Sequence, residues 1–118
     1  MNNVYYLHTC STCQRILKEL NLPESFEKQN IKETAITEKQ LDEMAKLAGS
    51  YESLFSRKAM KFREWGLNTQ TLTEQDYRKY ILEEYTFLKR PVFIVGGEIF
   101  IGNAKKTVEA VQQKIANL

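Results

Sequence analysis

The feature that most limits the possible folds is a pair of β-rich runs joined by two glycines. Residues 92–95 and 98–101 are rich in valine, isoleucine and phenylalanine, and Gly96-Gly97 lies between them. A two-residue turn between antiparallel strands needs positive φ angles, which glycine adopts without steric cost. The pattern therefore predicts a β-hairpin over residues 92–101.

A helix is predicted after the hairpin. Asn103 can supply the side-chain oxygen of an amino-terminal cap. Apolar residues then recur at helical spacing and form the face that is expected to be buried. They are Val108, Val111, Ile115 and Leu118.

The first third of the chain predicts a strand–helix–strand unit. Residues 4–7 form a short apolar run, and Cys10 and Cys13 follow it. The helical spacing of Ile16 and Leu20 then predicts a helix whose first turn carries the cysteines. Residues 25–31 indicate a weaker second strand. A strand–helix–strand order favours a parallel pair of strands.

The middle of the chain is predicted to be helical. Thr37 and Gln40 have the spacing of a capping box, and Gly49 is positioned to end that helix. Thr73 is predicted to cap a later helix, and residues 51–55 and 58–65 indicate two shorter helical pieces. The fold class is therefore α/β: a β-α-β half, a helical insert at about residues 37–88, and a β-β-α half. This is the outline of a thioredoxin-like fold.

Composition narrows the domain organisation and the class of partner. The chain has 118 residues, so a single domain over residues 1–118 is predicted. The formal net charge of +2 gives no electrostatic basis for direct binding to nucleic acid or to a membrane. No apolar run has the length of a signal peptide or a membrane span, so a cytoplasmic location is predicted.

The cysteine pair is the candidate reactive centre. Backbone N–H groups and the positive end of the helix dipole stabilise a thiolate at a helix start. Cys10 is therefore the predicted low-pKa nucleophile, and Cys13, one turn later, is the predicted resolving thiol. One alternative is two ordinary half-buried cysteines. Another is a metal site, but His8 would bring the ligands only to three where zinc usually takes four, so no metal is predicted.

His8 is a candidate auxiliary residue because it lies two residues before Cys10. An imidazole titrates near neutral pH, so this side chain can bias the thiolate electrostatically or act as a proton shuttle. The alternative is an exposed turn histidine with no essential role.

Four features in the same order resemble the arsenate reductase (ArsC)/Spx family. They are the strand followed by Cys10-Ser11-Thr12-Cys13, the Arg57-Lys58 pair, Arg90-Pro91 before a strand, and the closing hairpin and helix. The resemblance covers almost the whole chain. It implies a thioredoxin-like fold with a helical insert, and it implies that Cys10 is the nucleophile.

The resemblance also implies roles outside the cysteine pair. Arg57 matches the family arginine that helps to hold an oxyanion, and Arg90 matches a second active-site arginine. Pro91 matches the proline that is cis in thioredoxin-like proteins and faces the active cysteine. The helix-start N–H groups, at Ser11 and Thr12, complete the oxyanion cradle.

The chain departs from the arsenate reductases of this family at two positions. Gly102 stands where those enzymes carry a third arginine, and Tyr6 stands where they carry a histidine four residues before the cysteine. Both differences weigh against arsenate as the substrate. Cys13 is more similar to the Spx branch, in which an intramolecular disulfide acts as a switch. From the residues alone, Arg57 and Arg90 are also compatible with solvated surface charges.

Two functions follow as predictions. The first is an arsenate reductase-like oxidoreductase that acts on a small oxyanion or a disulfide. It would bind no cofactor and would take electrons from glutathione, glutaredoxin or thioredoxin, the last two being redox-protein partners. The alternative is an Spx-type, redox-sensing transcription regulator whose helical insert binds RNA polymerase.

Overall fold

The computed structural model of the protein describes residues 2–118. The strands are β1 (Asn3–Tyr6), β2 (Glu27–Asn30), β3 (Val92–Val95) and β4 (Glu98–Ile101). The α-helices are α1 (Ser11–Leu20), α2 (Glu38–Ala48), α3 (Met60–Glu64), α4 (Glu74–Glu83) and α5 (Lys105–Ala116). Short 3-10 helices span Glu52–Leu54, Leu67–Thr69 and Tyr85–Phe87.

The chain divides into two compact units. Residues 2–34 and 90–118 form one, here called the sheet unit, and residues 35–89 form the other, here called the helical unit. The helical unit contains the predicted insert at about residues 37–88. The assignment of residues 1–118 to one domain stays a prediction.

The four strands form one mixed sheet in the order β2-β1-β3-β4. β1 and β2 are parallel, whereas β1–β3 and β3–β4 are antiparallel. The hairpin prediction is confirmed: Gly96 and Gly97 connect β3 to β4 with φ angles of 56° and 83°. The predicted β-α-β and β-β-α halves are therefore both present.

The core of the sheet unit is largely aliphatic. Helices α1 and α5 contribute to the same buried cluster as β1 and β3, which explains why their apolar residues recur at helical spacing. The buried members are Val4, Ile16, Leu20, Phe26, Phe93, Val95 and Val111.

Two details predicted for the final helix are wrong. Ala104, not Asn103, is the N-cap of α5, and it makes no side-chain cap hydrogen bond. The backbone explains the shift: Gly102 has a φ of 93° and its N–H binds the carbonyl of Pro91, while Ala104 is still extended. At the other end, α5 stops at Ala116, so Leu118 lies beyond it and is 63% exposed.

Both predicted threonine caps of the helical unit are confirmed. The Thr37 hydroxyl accepts the Gln40 N–H at 3.0 Å, and the Gln40 side chain accepts the Thr37 N–H at 3.0 Å. Thr73 begins α4 in the same way, with Asp76 as the reciprocal partner. That second partner was not predicted. Gly49 ends α2, as predicted, with a φ of 94°.

The helical unit has an aromatic core and ion pairs between its helices. Phe55 is fully buried and stacks on Phe87, with ring centroids 5.0 Å apart. Arg78 of α4 binds Asp42 of α2, with an Nε–Oδ1 distance of 2.8 Å. Helix α3 is shorter than the predicted piece at 58–65, because the backbone is still extended at Ala59 and turns left-handed at Gly66, with a φ of 69°.

No helix within residues 2–118 combines the length and the apolar character that crossing a membrane requires.

Candidate active site

Cys10 lies where a turn after β1 meets the amino end of α1. The Cys10 N–H donates to the Leu7 carbonyl at 3.0 Å, which closes a four-residue turn. The Cys10 carbonyl accepts the Gln14 N–H at 3.1 Å, which is the first hydrogen bond of the helix. Cys10 is therefore the N-cap residue of α1, the position at which side-chain acceptors usually meet the free N–H groups of a helix.

This position makes the Cys10 thiol more acidic than usual. Burial acts to raise the pKa of Cys10, but hydrogen bonds from the backbone N–H and the thiol of Cys13 oppose it. The Thr12 N–H and the positive charge of Arg90 act in the same direction, and the pKa of Cys10 lies below its ordinary value of 9.0. These groups all stabilise negative charge on the sulfur, so the helix start favours the anion.

Cys13 has the opposite character. It is 0% exposed, and both cysteines are free thiols. Burial is the main cause that raises the pKa of Cys13 to about 11, and the neighbouring Cys10 adds to it by hydrogen bonding and by charge. Near neutral pH, Cys13 therefore stays protonated and can donate its S–H to the Cys10 thiolate. The pair combines an ionisable, partly exposed sulfur with a buried, protonated sulfur.

Arg90 and Pro91 directly precede β3, at the end of the sheet where the chain leaves β1 toward Cys10. β1 pairs with β3 from Asn3–Ile94 to Tyr5–Val92. Because the pair is antiparallel, the Leu7 turn after β1 and Arg90 before β3 lie at the same end of it. Arg90 is close enough for its charge to lower the pKa of both cysteines. The Arg90–Pro91 peptide bond is cis, and Pro91 is buried. The structure thus brings Arg90 and the cysteine pair together.

Gly102 follows β4 at the same end of the sheet. Its N–H donates to the Pro91 carbonyl at 2.9 Å. A Cβ atom at this position would meet no atom within 4 Å, so the site has open space where arsenate reductases of the family carry an arginine. The φ of 93° also disfavours any side chain here.

Ser11 and Thr12 are the first two residues of α1. The Thr12 N–H belongs to the group that stabilises the Cys10 anion. Ser11 is exposed, and Thr12 is partly buried. Their location agrees with a cradle of helix-start N–H groups, and their contact with a substrate stays a prediction.

The backbone of His8, rather than its imidazole, has partners among the described residues. The His8 N–H donates to Oδ1 of Asn30 at 3.1 Å, and the His8 carbonyl accepts a hydrogen bond from Nε2 of Gln14. The side chain is exposed. Asn30 and Gln14 were missed in the sequence because neither carries a local signal, and Asn30 is 22 residues away from His8. An auxiliary role of the imidazole stays a prediction.

Arg57, the other predicted arginine, belongs to the helical unit. Its Nη2 donates to Oε2 of Glu52 and to the hydroxyl of Tyr77, both at 2.8 Å. The guanidinium also lies 5.6 Å from the centre of the Tyr77 ring. Hydrogen bonding to Glu52 raises the pKa of Arg57. Its contribution to a site at the cysteines stays a prediction.

Solved structures with the same fold include arsenate reductase-related proteins. The YffB protein matches with a TM-score of 0.79 at 19% identity, over 98% of this chain and 99% of that chain. The arsenate reductase from Vibrio cholerae has a TM-score of 0.77 at 17% identity, over 96% of both chains. An arsenate reductase (ArsC) related protein from Brucella melitensis has a TM-score of 0.70 at 20% identity, over 92% of both chains. These likenesses confirm the predicted thioredoxin-like fold.

Sequence comparisons decide the family. No curated protein sequence matches the chain. The model of the ArsC family, however, matches residues 5–111, a range that includes the cysteine pair, both predicted arginines and Pro91. Because this match spans most of the chain, the resemblance is confirmed: the protein belongs to the ArsC family.

Proposed function

We propose that the protein is a thiol–disulfide oxidoreductase in which Cys10 is the nucleophile and Cys13 is the resolving thiol. The observation that supports this proposal best is the contrast in acidity between the two neighbouring sulfurs. A nucleophile must be ionised near neutral pH, whereas a resolving thiol has to stay protonated until the first step is complete.

The proposed reaction with a disulfide has two steps. The Cys10 thiolate attacks one substrate sulfur, forms a mixed disulfide and releases the other sulfur as a thiolate. Cys13 then loses its proton and attacks the Cys10 sulfur, which releases the second substrate thiolate and leaves a Cys10–Cys13 disulfide. The substrate gains two electrons and the protein loses two. A dithiol or two molecules of a monothiol return the protein to its reduced form.

An oxyanion substrate would use the same nucleophile. The Cys10 thiolate would form a sulfur–arsenic bond with arsenate, and one oxygen would leave as water. A thiol would then attack the Cys10 sulfur, and the bonding pair would pass to arsenic, which leaves as arsenite. In this proposal Arg90, the Ser11 and Thr12 N–H groups and Arg57 hold the oxyanion.

Two features favour the disulfide over the oxyanion within this proposal. Gly102 supplies no charge where a third arginine is expected. Arg57 already donates to the carboxylate of Glu52, so an oxyanion would have to compete with that group. An Arg90 charge and a helix start are sufficient to favour a single thiolate, which is all that disulfide chemistry requires.

The proposed electron donors are glutathione, glutaredoxin or thioredoxin, with no bound cofactor. Each of these donors supplies the thiols that the second half of the cycle consumes. The proposed compartment is the cytoplasm, where these thiols are kept reduced.

Intact-mass measurements on the reduced protein test the proposal. With oxidised glutathione near neutral pH, the unaltered chain should lose two hydrogens as its disulfide forms. The Cys13→Ser chain should stop at the mixed disulfide and gain one glutathione. Arsenate with each electron donor forms a parallel arm that tests the oxyanion. If folded, reduced protein forms neither species, the proposed oxidoreductase activity is wrong.

A redox-sensing regulator is the second candidate. The observation that favours it is the pairing of a buried Cys13 with Cys10, since an intramolecular disulfide can act as a switch without any substrate. The proposed partner is RNA polymerase, bound through the helical unit. Purified polymerase should be retained by the oxidised chain and less by the Cys10→Ser chain. Equal or absent retention in both redox states would contradict this candidate.

A further inference from the structure

Three hydrogen bonds hold the backbone of the turn that leads to Cys10. Within the turn, the Leu7 carbonyl accepts the Cys10 N–H at 3.0 Å. At its second residue, the His8 N–H donates to Oδ1 of Asn30 at 3.1 Å, and the His8 carbonyl accepts from Nε2 of Gln14. Both amide side chains therefore hold the same peptide segment, one from the end of β2 and one from the first turns of α1.

Asn30 is also tied to the turn through the backbone. The next residue, Ile31, donates its N–H to the Tyr6 carbonyl at 2.9 Å, which keeps the ends of β1 and β2 side by side. The Asn30 side chain receives a second, longer hydrogen bond from the Lys32 N–H at 3.4 Å. Asn30 is also partly buried. Its position is therefore restricted by contacts other than its hydrogen bond with His8.

We propose that Asn30 and Gln14 are positioning residues that hold the backbone of His8 on both sides and, through it, place the Cys10 sulfur at the amino end of α1. Neither side chain needs to contact a substrate for this role. The inference rests on the proposed function only in that Cys10 is its reactive group.

The position of the sulfur matters because the groups that stabilise its anion act over short distances. The Thr12 and Cys13 N–H groups point along the start of α1, and a hydrogen bond weakens steeply when its geometry is lost. A turn that is held less firmly lets the sulfur leave these donors for part of the time. The thiolate then loses stabilisation while the fold, whose core lies elsewhere, keeps its own.

The test compares Asn30→Leu and Gln14→Leu with the unaltered chain. The pKa of Cys10 is measured from thiolate absorbance and from the pH dependence of alkylation, in a Cys13→Ser background so that one sulfur titrates. We expect each substitution to raise the Cys10 pKa by roughly 0.3 to 1 unit, the range of one hydrogen bond. Alkylation at a pH well below the pKa should slow by about two- to ten-fold, because less thiolate is present.

Gln29→Leu is the matched control. Gln29 precedes Asn30 on β2, and its side chain donates to the Thr34 carbonyl at 3.0 Å. The same loss of a side-chain amide should therefore leave the Cys10 pKa within 0.2 units, a margin of about a quarter of one hydrogen bond. Thermal unfolding of every variant establishes that the fold is retained. The double variant Asn30→Leu/Gln14→Leu should raise the pKa by less than the sum, since both amides hold the backbone of the same residue, His8.

The outcomes separate this inference from the proposed function. An ordinary pKa of Cys10 in the Cys13→Ser chain without further substitution would contradict the proposed function itself. A lowered pKa that neither Asn30→Leu nor Gln14→Leu changes would overturn the inference alone. His8→Ala keeps the bound peptide and removes the imidazole. A larger pKa change in His8→Ala than in Asn30→Leu would assign the effect to the imidazole and also overturn the inference.

Discussion

The long helices of the two units begin differently. In the helical unit, α2 and α4 start at Thr37 and Thr73, whose hydroxyls accept N–H hydrogen bonds at 3.0 and 3.3 Å. In the sheet unit, α1 starts at Cys10 and α5 at Ala104, and neither makes a side-chain cap hydrogen bond. A hydroxyl stays neutral, whereas a sulfur ionises. The free N–H groups at the starts of α2 and α4 therefore only stabilise a helix, whereas those at the start of α1 favour an anion.

Replacement of Cys10 by serine tests this comparison most directly and should have the largest effect. Cys10→Ser converts the start of α1 to the type seen at Thr37 and Thr73. Reaction with oxidised glutathione should fall to background, because a serine hydroxyl does not ionise and the Cys13 thiol, with a pKa of about 11, stays protonated. Intact-mass measurement near pH 7 would detect any adduct. Cys13→Ser, which retains the nucleophile, is the control.

The free energy of unfolding should fall at alkaline pH because Cys13 is buried. Its pKa in the fold is about 11, above the ordinary 9.0, so the protonated thiol stabilises the fold below pH 9. This stabilisation is lost as the pH rises toward 11, because the unfolded chain ionises first. Between these pH values the unaltered chain should lose roughly 2–3 kcal/mol more free energy of unfolding than Cys13→Ala. Urea unfolding at each pH measures the difference.

Cys10 should show the opposite dependence. Its pKa in the fold is lowered, so the thiolate stabilises the fold above pH 9, and this contribution is lost as the pH falls through the folded-state pKa. Acidification should therefore destabilise the unaltered chain more than Cys10→Ser. For each variant, the quantity to compare is its difference in free energy of unfolding from the unaltered chain. If this difference changed with pH in the same direction for Cys13→Ala and Cys10→Ser, the contrast between the two sulfurs would be wrong.

The threonine caps should have smaller effects, confined to stability. Thr37→Ala and Thr73→Ala each remove the acceptor of one N–H hydrogen bond, so each should lower the free energy of unfolding by about 1 kcal/mol. Urea unfolding measures both. Lys39→Ala, an exposed change in the first turn of α2, should stay within about 0.5 kcal/mol. The Cys10 pKa of both threonine variants serves as a second readout and should be unchanged.

Addition of a cap to α5 should have the smallest effect. Ala104→Ser supplies the missing acceptor and should raise the free energy of unfolding by about 0.5–1 kcal/mol. Asn103→Ala is the comparison, because Asn103 lies outside the N-cap position and its loss should cost less than about 0.5 kcal/mol. If Asn103→Ala lowered the free energy of unfolding by more than Ala104→Ser raised it, Asn103 would be the residue that caps α5.

The sequence predicted a structural element well where all the residues that determine it lie in one short motif. The Gly96-Gly97 turn and the Thr37 capping box both lie within a few residues, and both are confirmed. The prediction that Asn103 caps α5 was wrong because a contact from outside the local motif decides where the helix begins. Its side chain has the right chemistry, but the turn at Gly102 moves the start of α5 by one residue, and that turn depends on a hydrogen bond to Pro91.

The candidate site was predicted as a set of residue types but not as an arrangement. The position of Cys10 at the start of α1 follows from the strand, the cysteine spacing and the apolar residues of the helix. The hydrogen bonds of Asn30 and Gln14 to the His8 backbone could not be predicted from the sequence. Asn30 lies in β2, 22 residues away from His8, and a single amide side chain in a polar segment gives no sequence signal. The family resemblance supplied Arg90, and only the pairing of β1 with β3 explains its proximity to the cysteines.

The sequence by itself determined where strands, turns and capped helices form, since those depend on backbone preferences and on side chains within one turn. It also placed an ionisable sulfur at a helix start. Only the tertiary structure decided that Cys13 is completely buried, which raises its pKa to about 11, and that Arg90 lies close enough to lower the pKa of both sulfurs. Both effects arise when distant segments pack around one sheet.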